Sequence, residues 1–330
     1  MLAPEAARSI YSRGRQRPEA PCPFRTDFQR DRDRILHSKS FRRLAGKTQV
    51  FVSPRNDHDR TRLTHSLEVC QVARTVARAL RLNEDLTEAI ALGHDLGHSA
   101  FGHAGETVLN LVYQEYDPDA RFHHAEQSLR MVDLLERDGR GLNLTWEVRN
   151  GIAHHSKGEK DWPQKSSWRA ATLEGQLVAL ADRIAYSSHD IDDAMRAGLL
   201  TLDQFPAFIV NCLGTTHSAR LTAMVGDIIN ASRDLFFIRM TPEMTEITNE
   251  LKNFMYLNLY LSRSMAPRVR RSVDETITGL FRYYMEHPTK ADIPDATDTK
   301  TSARLVCDFI AGMTDDYARD AWRRVKRKTR

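Results

Sequence analysis

An all-α fold is what the sequence predicts, on three observations. Leu63, Leu67, Cys70, Val72, Ala73, Val76, Ala77 and Leu80 recur mostly at three- and four-residue steps, the spacing of one helical face. Similar runs are separated by breakers such as Asp117-Pro118-Asp119 and Asp138-Gly139-Arg140-Gly141, as expected between helices. Extended character is confined to Gly46 to Val52 before Pro54, and no internal repeat is evident, so nothing competes with the helical reading.

Taken in order, the segment up to about Arg34 mixes Pro18, Pro21 and Pro23 with many arginines and reads as irregular chain draped over the body. Asp27 to Leu44 reads as a charged helix, and Pro54 to Asp59 as a turn or loop. Thr61 to Leu82 is an amphipathic helix with His65 in its first turn. Asp85 to Leu96 follows, with Asn83 as its N-cap. Further helices are expected over Gly105 to Glu115, His124 to Arg137 and Leu144 to His155, with a polar loop over Lys157 to Ser167. Thr172 to Ala197 is a long helix, and Leu202 to Phe205 a short helical turn before Pro206. Leu221 to Phe236, Glu246 to Ser262 and Val269 to Glu286 are longer helices. After a loop over Pro288 to Thr299, Ser302 to Met313 and Asp316 to Lys326 complete the set.

Composition bounds the class. A chain of 330 residues with 41% apolar and 28% charged residues suits one large domain, or a core with an appended lobe. The net charge of +4 decides little, but basic residues crowd the first 45 positions and the last eight. Such a tail is a solvated end or a contact for an acidic partner. Cys22, Cys70, Cys212 and Cys307 show no CxxC spacing, so neither a disulfide framework nor a thiolate zinc site is suggested. The N-terminus has no apolar signal-like run and no stretch is long enough to span a bilayer. A cytoplasmic protein with no membrane partner is expected.

The chemistry concentrates in His94-Asp95-Leu96-Gly97-His98-Ser99-Ala100-Phe101-Gly102-His103-Ala104-Gly105-Glu106. Imidazole and carboxylate are ordinary ligands of divalent cations. His65, His94, Asp95 and Asp182 form the candidate metal set, drawn from three helices that can meet if they pack as neighbours. Asp182 lies inside the apolar run Leu180 to Ala185, where an unpaired carboxylate is costly. A buried ion pair to Arg183 or another cation is the plainer alternative. Asp182, Tyr186 and Asp190 fall at i, i+4 and i+8 and line one face, suited to a ligand with a phosphate and a sugar hydroxyl, or else a mere polar stripe.

His65, His94-Asp95 and Asp182 reproduce the H…HD…D pattern of the HD superfamily of metal-dependent phosphohydrolases. Seven further blocks resemble the dGTPase-like deoxynucleotide triphosphohydrolases more closely: Asp31 to Ile35, Phe41 to Leu44, Lys47 to Phe51, His94 to Glu106, Glu126 to Arg130, Ala181 to Tyr186 and Phe309 to Asp315. The resemblance implies an HD-domain helical core with additional C-terminal helices. It divides the chain into an arginine-rich segment packing on the core (1–60), the HD core (61–200) and a C-terminal helical region completing the substrate site and oligomer contacts (201–330).

By the same resemblance, a dNTP and water yield the deoxynucleoside and inorganic triphosphate on a divalent ion (Mn2+, Mg2+, Fe2+, Co2+ or Ni2+). His103 and Glu106 match the family's catalytic pair, and His98 and His124 its additional histidines near the α-phosphate. Arg62, Lys252, Tyr260 and Arg263 are implied phosphate contacts. Tyr186 and Asp190 correspond to the pair on the deoxyribose 3′-hydroxyl, and Arg43 and Leu44 to the base and sugar pocket. A homo-oligomer (hexamer or tetramer), an activating nucleotide and single-stranded nucleic acid are the implied partners.

Two departures stand out. Ser99-Ala100 replaces a segment where many relatives carry proline, and His154-His155 resembles the pair that two-metal HD phosphodiesterases use for a second ion. The alternatives are therefore a two-metal phosphohydrolase or phosphodiesterase acting on another nucleotide, or a nucleic-acid-binding protein that retains the fold.

Overall fold

The computed structural model describes residues 1–49, 58–156, 169–260, 267–294 and 296–328. Among them there are helices and no strands, only isolated bridges pairing Arg15 with Thr145 and Thr48 with Thr61. The expected extension over Val50 to Val52, most of the turn before Asp59 and the loop over Lys157 to Ser167 lie outside the described residues.

Helices α1 (Asp27–Leu36) and α2 (Lys39–Arg43) replace the single helix expected over Asp27 to Leu44. The break is chemical: Ser38 Oγ donates to the Ile35 carbonyl at 2.7 Å and accepts from Phe41 N at 3.1 Å, ending one helix and capping the next. The centre consists of α3 (Arg62–Ala79), α4 (Glu84–Gly93) and α9 (Leu173–Arg196). Thr61, Asn83 and Thr172 cap these three, each side chain accepting from a first-turn amide.

Around them run α5 (Gly102–Tyr116), α6 (His124–Arg130), a one-turn α7 (Glu136–Gly139) and α8 (Trp146–Ala153). The helix expected to continue to Arg137 instead loosens into a π turn over Met131–Leu135, and Arg137 and Asp138 are left-handed (φ 54° and 56°). Then follow α10 (Ala207–Leu213), α11 (His217–Ala231), α12 (Pro242–Met255), α13 (Pro267–Glu286), α14 (Thr299–Ala311) and α15 (Asp315–Lys328). Short α10 was not expected. Helix α11 starts and stops earlier than Leu221 to Phe236, because Thr216 caps it and Leu235 is left-handed (φ 55°). Helix α12 starts at Pro242, where Thr241 accepts from Met244 N at 3.2 Å, and a π turn over Tyr256–Tyr260 follows it.

Helices α3, α4 and α9 pack on one another, with α1 and α8 against α4. Val69, Val76, Ile90, Leu177, Leu180 and Ile184 are fully buried there, each contributing about 1.5–3 kcal/mol of burial. A Cβ on Gly151 of α8 would stand 2.5 Å from Ile90 Cδ1, so the close approach of α8 and α4 requires glycine. A second apolar cluster joins α5 to α13, α14 and α15 through Leu109, Tyr113, Ile277, Phe281, Val306 and Ala318. The 201–330 segment is thus divided: α10 to α12 join the first cluster and α13 to α15 the second. The N-terminal segment is anchored to the body. Asp31 is fully buried, pairs with Arg15 and accepts from Thr145 N at 2.8 Å and Thr145 Oγ1 at 2.6 Å. No described helix is long and apolar enough to cross a membrane.

Candidate metal centre

Packing of α3, α4 and α9 brings His65, His94, Asp95 and Asp182 together. His65 lies in the first turn of α3, His94 and Asp95 just past α4, and Asp182 midway along α9. His65 Nε2 is 3.0 Å from Asp182 Oδ1 and 3.8 Å from Asp95 Oδ2. His94 Nε2 is 3.5 Å from Asp95 Oδ1 and 3.9 Å from Asp182 Oδ1. The ion pair of Asp182 with Arg183 does not form in the way the plainer alternative requires, since Arg183 Nη2 donates to Asn249 of α12 at 2.5 Å.

The donor set fits a divalent cation on an observation internal to the cluster. His94 Nδ1 donates to the Ala91 carbonyl at 2.7 Å, so Nε2 carries a lone pair, and that atom is buried without a hydrogen-bond partner. An unsatisfied buried acceptor beside two carboxylates is costly unless a ligand is shared among them. Burial alone would raise the Asp95 carboxyl, yet His94, Arg62, His98 and His65 outweigh it and hold Asp95 well below the usual range. For Asp182, burial is likewise outweighed, by its close contact with His65 and by His94. Both stay ionised, as ligands must.

The loop from Leu96 to Phe101 carries the chain from this centre to α5. A Cβ on Gly97 would stand 2.1 Å from Ser128 N, so only glycine lets the loop cross α6. Phe101 is left-handed (φ 64°) and its amide donates to Asp315 Oδ1 at 2.9 Å, fastening the loop to α15. Lys47, fully enclosed, donates to the carbonyls of His98 and, at 2.9 Å, Ala311.

A second group adjoins the first. His98 Nε2 is 3.9 Å from Asp95 Oδ1, and its ring stacks on His124 with centroids 4.3 Å apart. Glu106 accepts from His103 Nδ1 at 3.2 Å, His124 Nδ1 at 3.0 Å and His124 N at 2.7 Å. Burial favours the neutral Glu106, but His124 and the hydrogen bonds of both histidines hold its carboxyl well below the usual range. Conversely, burial would lower His124, and Glu106 overrides it and raises the imidazole. His98 is pushed well down by burial, Arg62 and His124. The His103 side chain is 71% exposed and open to a ligand.

The remaining sequence candidates divide. Arg62 is buried and donates to Asp95 Oδ2 at 2.7 Å, beside the centre. Tyr186 is half-buried one turn beyond Asp182, with burial, against Arg183, pushing its phenol up to about 12. Asp190 is buried a further turn along. Arg43 is exposed and donates to the Gly312 carbonyl at 3.2 Å, whereas Leu44 is wholly enclosed in the main core. Lys252 is half-buried on α12, three residues beyond Asn249. The Tyr260 side chain and all of Arg263 lie outside the described residues.

Of the His154-His155 pair only His155 turns inward: it is buried, and burial with His94 and His124 lowers it to about 3. His154 bonds through Nδ1 to the Asn150 carbonyl at 2.7 Å. Sequence reasoning missed His189, whose Nε2 is 2.8 Å from His65 Nδ1. Its signal was available, since position 189 is two helical turns past Asp182 on the same face.

An HD domain model matches residues 62–187 and a phosphohydrolase-associated domain model residues 238–324. The chain is 50% identical over 320 residues to a deoxyguanosinetriphosphate triphosphohydrolase-like protein of Caldanaerobacter subterraneus subsp. tengcongensis, covering 96% of this chain and 90% of that one. A protein of the same description from Desulfatibacillum aliphaticivorans is 48% identical over 342 residues (98% and 94% covered), and one from Clostridium tetani 42% over 323 residues (96% and 90%). With the HD residues clustered on α3, α4 and α9, the chain belongs to the deoxyguanosinetriphosphate triphosphohydrolase-like family of HD-domain proteins.

Proposed function

We propose that the protein hydrolyses deoxynucleoside triphosphates to the deoxynucleoside and inorganic triphosphate, with a divalent cation held by His65, His94, Asp95 and Asp182. One observation carries the reading: the carboxylate-bound histidines His103 and His124 stand beside the metal set, joined to it through His98. When bound, Mn2+, Mg2+, Fe2+, Co2+ or Ni2+ would polarise an α-phosphate oxygen and lower the pKa of a water.

The chain's own groups supply the rest. Glu106 fixes the Nδ1 protons of His103 and His124, leaving Nε2 of each to exchange a proton with the ligand. His103, accessible at the surface, transfers a proton to the departing 5′-oxygen. His98, held neutral, accepts a hydrogen bond. Arg62 offsets phosphate charge, joined by Lys252, Tyr260 and Arg263. Tyr186 and Asp190 take the 3′-hydroxyl, and Arg43 borders the base and sugar, on a turn that Leu44 anchors in the core.

The test is incubation of purified protein and Mn2+ or Mg2+ with each of the four dNTPs, singly and mixed, with chromatographic separation of products. Deoxynucleoside and triphosphate are expected; pyrophosphate with monophosphate, or no loss from any mixture, overturns the reading. Turnover only in mixtures would mark an activating nucleotide, and light scattering would reveal the proposed hexamer or tetramer. Single-stranded nucleic acid, drawn to the basic ends, should bind with a steep salt dependence.

A two-metal phosphohydrolase is the second reading, favoured by donor atoms of Asp95, His124 and His155 lying within 4.8 Å of one another. His155 Nε2 is buried without a hydrogen-bond partner. Two tightly bound ions per chain by elemental analysis, with cyclic or monophosphate turnover, would select it.

A further inference from the structure

The two histidines of the metal set solve one problem differently. Each must present a bare Nε2, so each must keep its proton on Nδ1 and give that proton an acceptor. His94 uses the Ala91 carbonyl at 2.7 Å. For His65 the partner is a side chain, His189 on α9, whose Nε2 lies 2.8 Å from His65 Nδ1 with the rings edge to face at 79°. His189 is fully buried, and its Nδ1 lies 2.7 Å from Asp190 Oδ1. The acceptor role at Nε2 places the His189 proton on Nδ1, beside that carboxylate. Glu68 Oε2, at 3.7 Å from His189 Nε2, is too distant to take the His65 proton's place.

We infer that His189 is a positioning residue: it fixes the tautomer and ring orientation of His65 for metal binding. The inference rests on the proposed metal centre. The imidazole at 189 has no other role in the proposed reaction.

Cation binding without substrate tests this. Mn2+ affinity of the full chain, measured from the paramagnetic resonance signal of free Mn2+, is compared among wild type, His189→Gln and His189→Asn. Glutamine can set its carbonyl oxygen where Nε2 stands, whereas asparagine stops near Nδ1 and cannot reach His65. His189→Asn should weaken binding by roughly 10–100-fold, and His189→Gln by no more than about threefold, the range of lost and retained partners of metal-bound histidines. Both variants are polar and similar in size, so a folding defect would affect both, and thermal unfolding of the metal-free proteins checks this. Equal affinity of His189→Asn and wild type, or equal weakening in both variants, overturns the inference while leaving the metal centre standing. Absence of Mn2+ binding by wild type, or binding that Asp182→Asn leaves intact, overturns the metal centre and the inference with it.

Discussion

Two buried polar clusters in this protein differ in one respect, saturation. Around Lys47, Asp308 and Asp315 the polar atoms find protein partners. Asp315 accepts from Thr48 N at 3.3 Å, Thr48 Oγ1 at 2.5 Å and Phe101 N at 2.9 Å. Asp308 accepts from Gln127 Nε2 and Arg130 Nε, each at 2.9 Å, and from Arg304. At the metal centre, equally buried, His94 Nε2, both nitrogens of His98 and Nε2 of His155 have no hydrogen-bond partner. Single orphans occur elsewhere, as at Glu174 Oε2 and Trp322 Nε1, but several converging on one centre call for a shared partner. The saturated cluster holds α6, α14 and α15 to the loop; the unsaturated one is, on the proposed function, where ligand binds.

Substitutions should therefore separate the two clusters by what they damage. The largest effect is expected at Asp182→Asn, which removes one of two ionised ligands: turnover should fall by at least about 1,000-fold. On the proposed function Mn2+ should raise the melting temperature of wild type and leave that of the variant unchanged. A variant that kept the metal-induced shift would erase the distinction, because Asp182 would then belong with the structural carboxylates. Next comes His103→Ala. If His103 is the acid-base group of the proposed function, it acts on the reaction and not on the fold, so kcat should drop roughly 100- to 10,000-fold, with Mn2+ affinity and melting temperature close to wild type. Loss of metal affinity in this variant would instead merge the two halves of the site.

How far the sequence foretold this contrast depends on range. Helices α3, α4 and α9 are legible from apolar spacing and from the caps Thr61, Asn83 and Thr172, because their signals are local. The metal set is legible for the same reason, three of its four residues ending or beginning such helices. The break at Ser38 was not, since Asp27 to Leu44 keeps helical composition and only a side-chain hydrogen bond to Ile35 interrupts it. Nor was the saturated cluster: Lys47 meets Ala311 264 residues away, and Asp315 meets Thr48 at a separation of 267. For His189 the shared face with Asp182 was legible, but not its partner, since His65 is on another helix, 124 residues earlier.

In the saturated cluster the cost should fall on stability. Asp315→Ala strips acceptors from Thr48 and the left-handed Phe101 together, and should lower the unfolding free energy by about 3 kcal/mol by denaturant titration. A change below ~0.5 kcal/mol would mean that water replaces the carboxylate and the cluster is not closed.

The last expected effect is the most diagnostic, because it is a slope. Burial, with Arg43 adding to it, lowers the Lys47 amine to about 7 against opposing pulls from Asp315 and Asp95. In the unfolded chain the amine returns to its ordinary value, about 10.4. Between those values the unfolded state binds the extra proton, so stability contributed at this position rises with pH. Below about 7 both states are protonated and the contribution no longer changes. The two bonds survive the titration, since a neutral amine still has two protons for the carbonyls of His98 and Ala311. Lys47→Met cannot titrate, so the gap in unfolding free energy between wild type and variant should widen from pH 7 to 9.5, and not below pH 7. A gap that stayed flat across that window would mean that Lys47 keeps its charge within the fold, neutralised by Asp315 and Asp95, and that the saturated cluster is held by ion pairs as well as by hydrogen bonds.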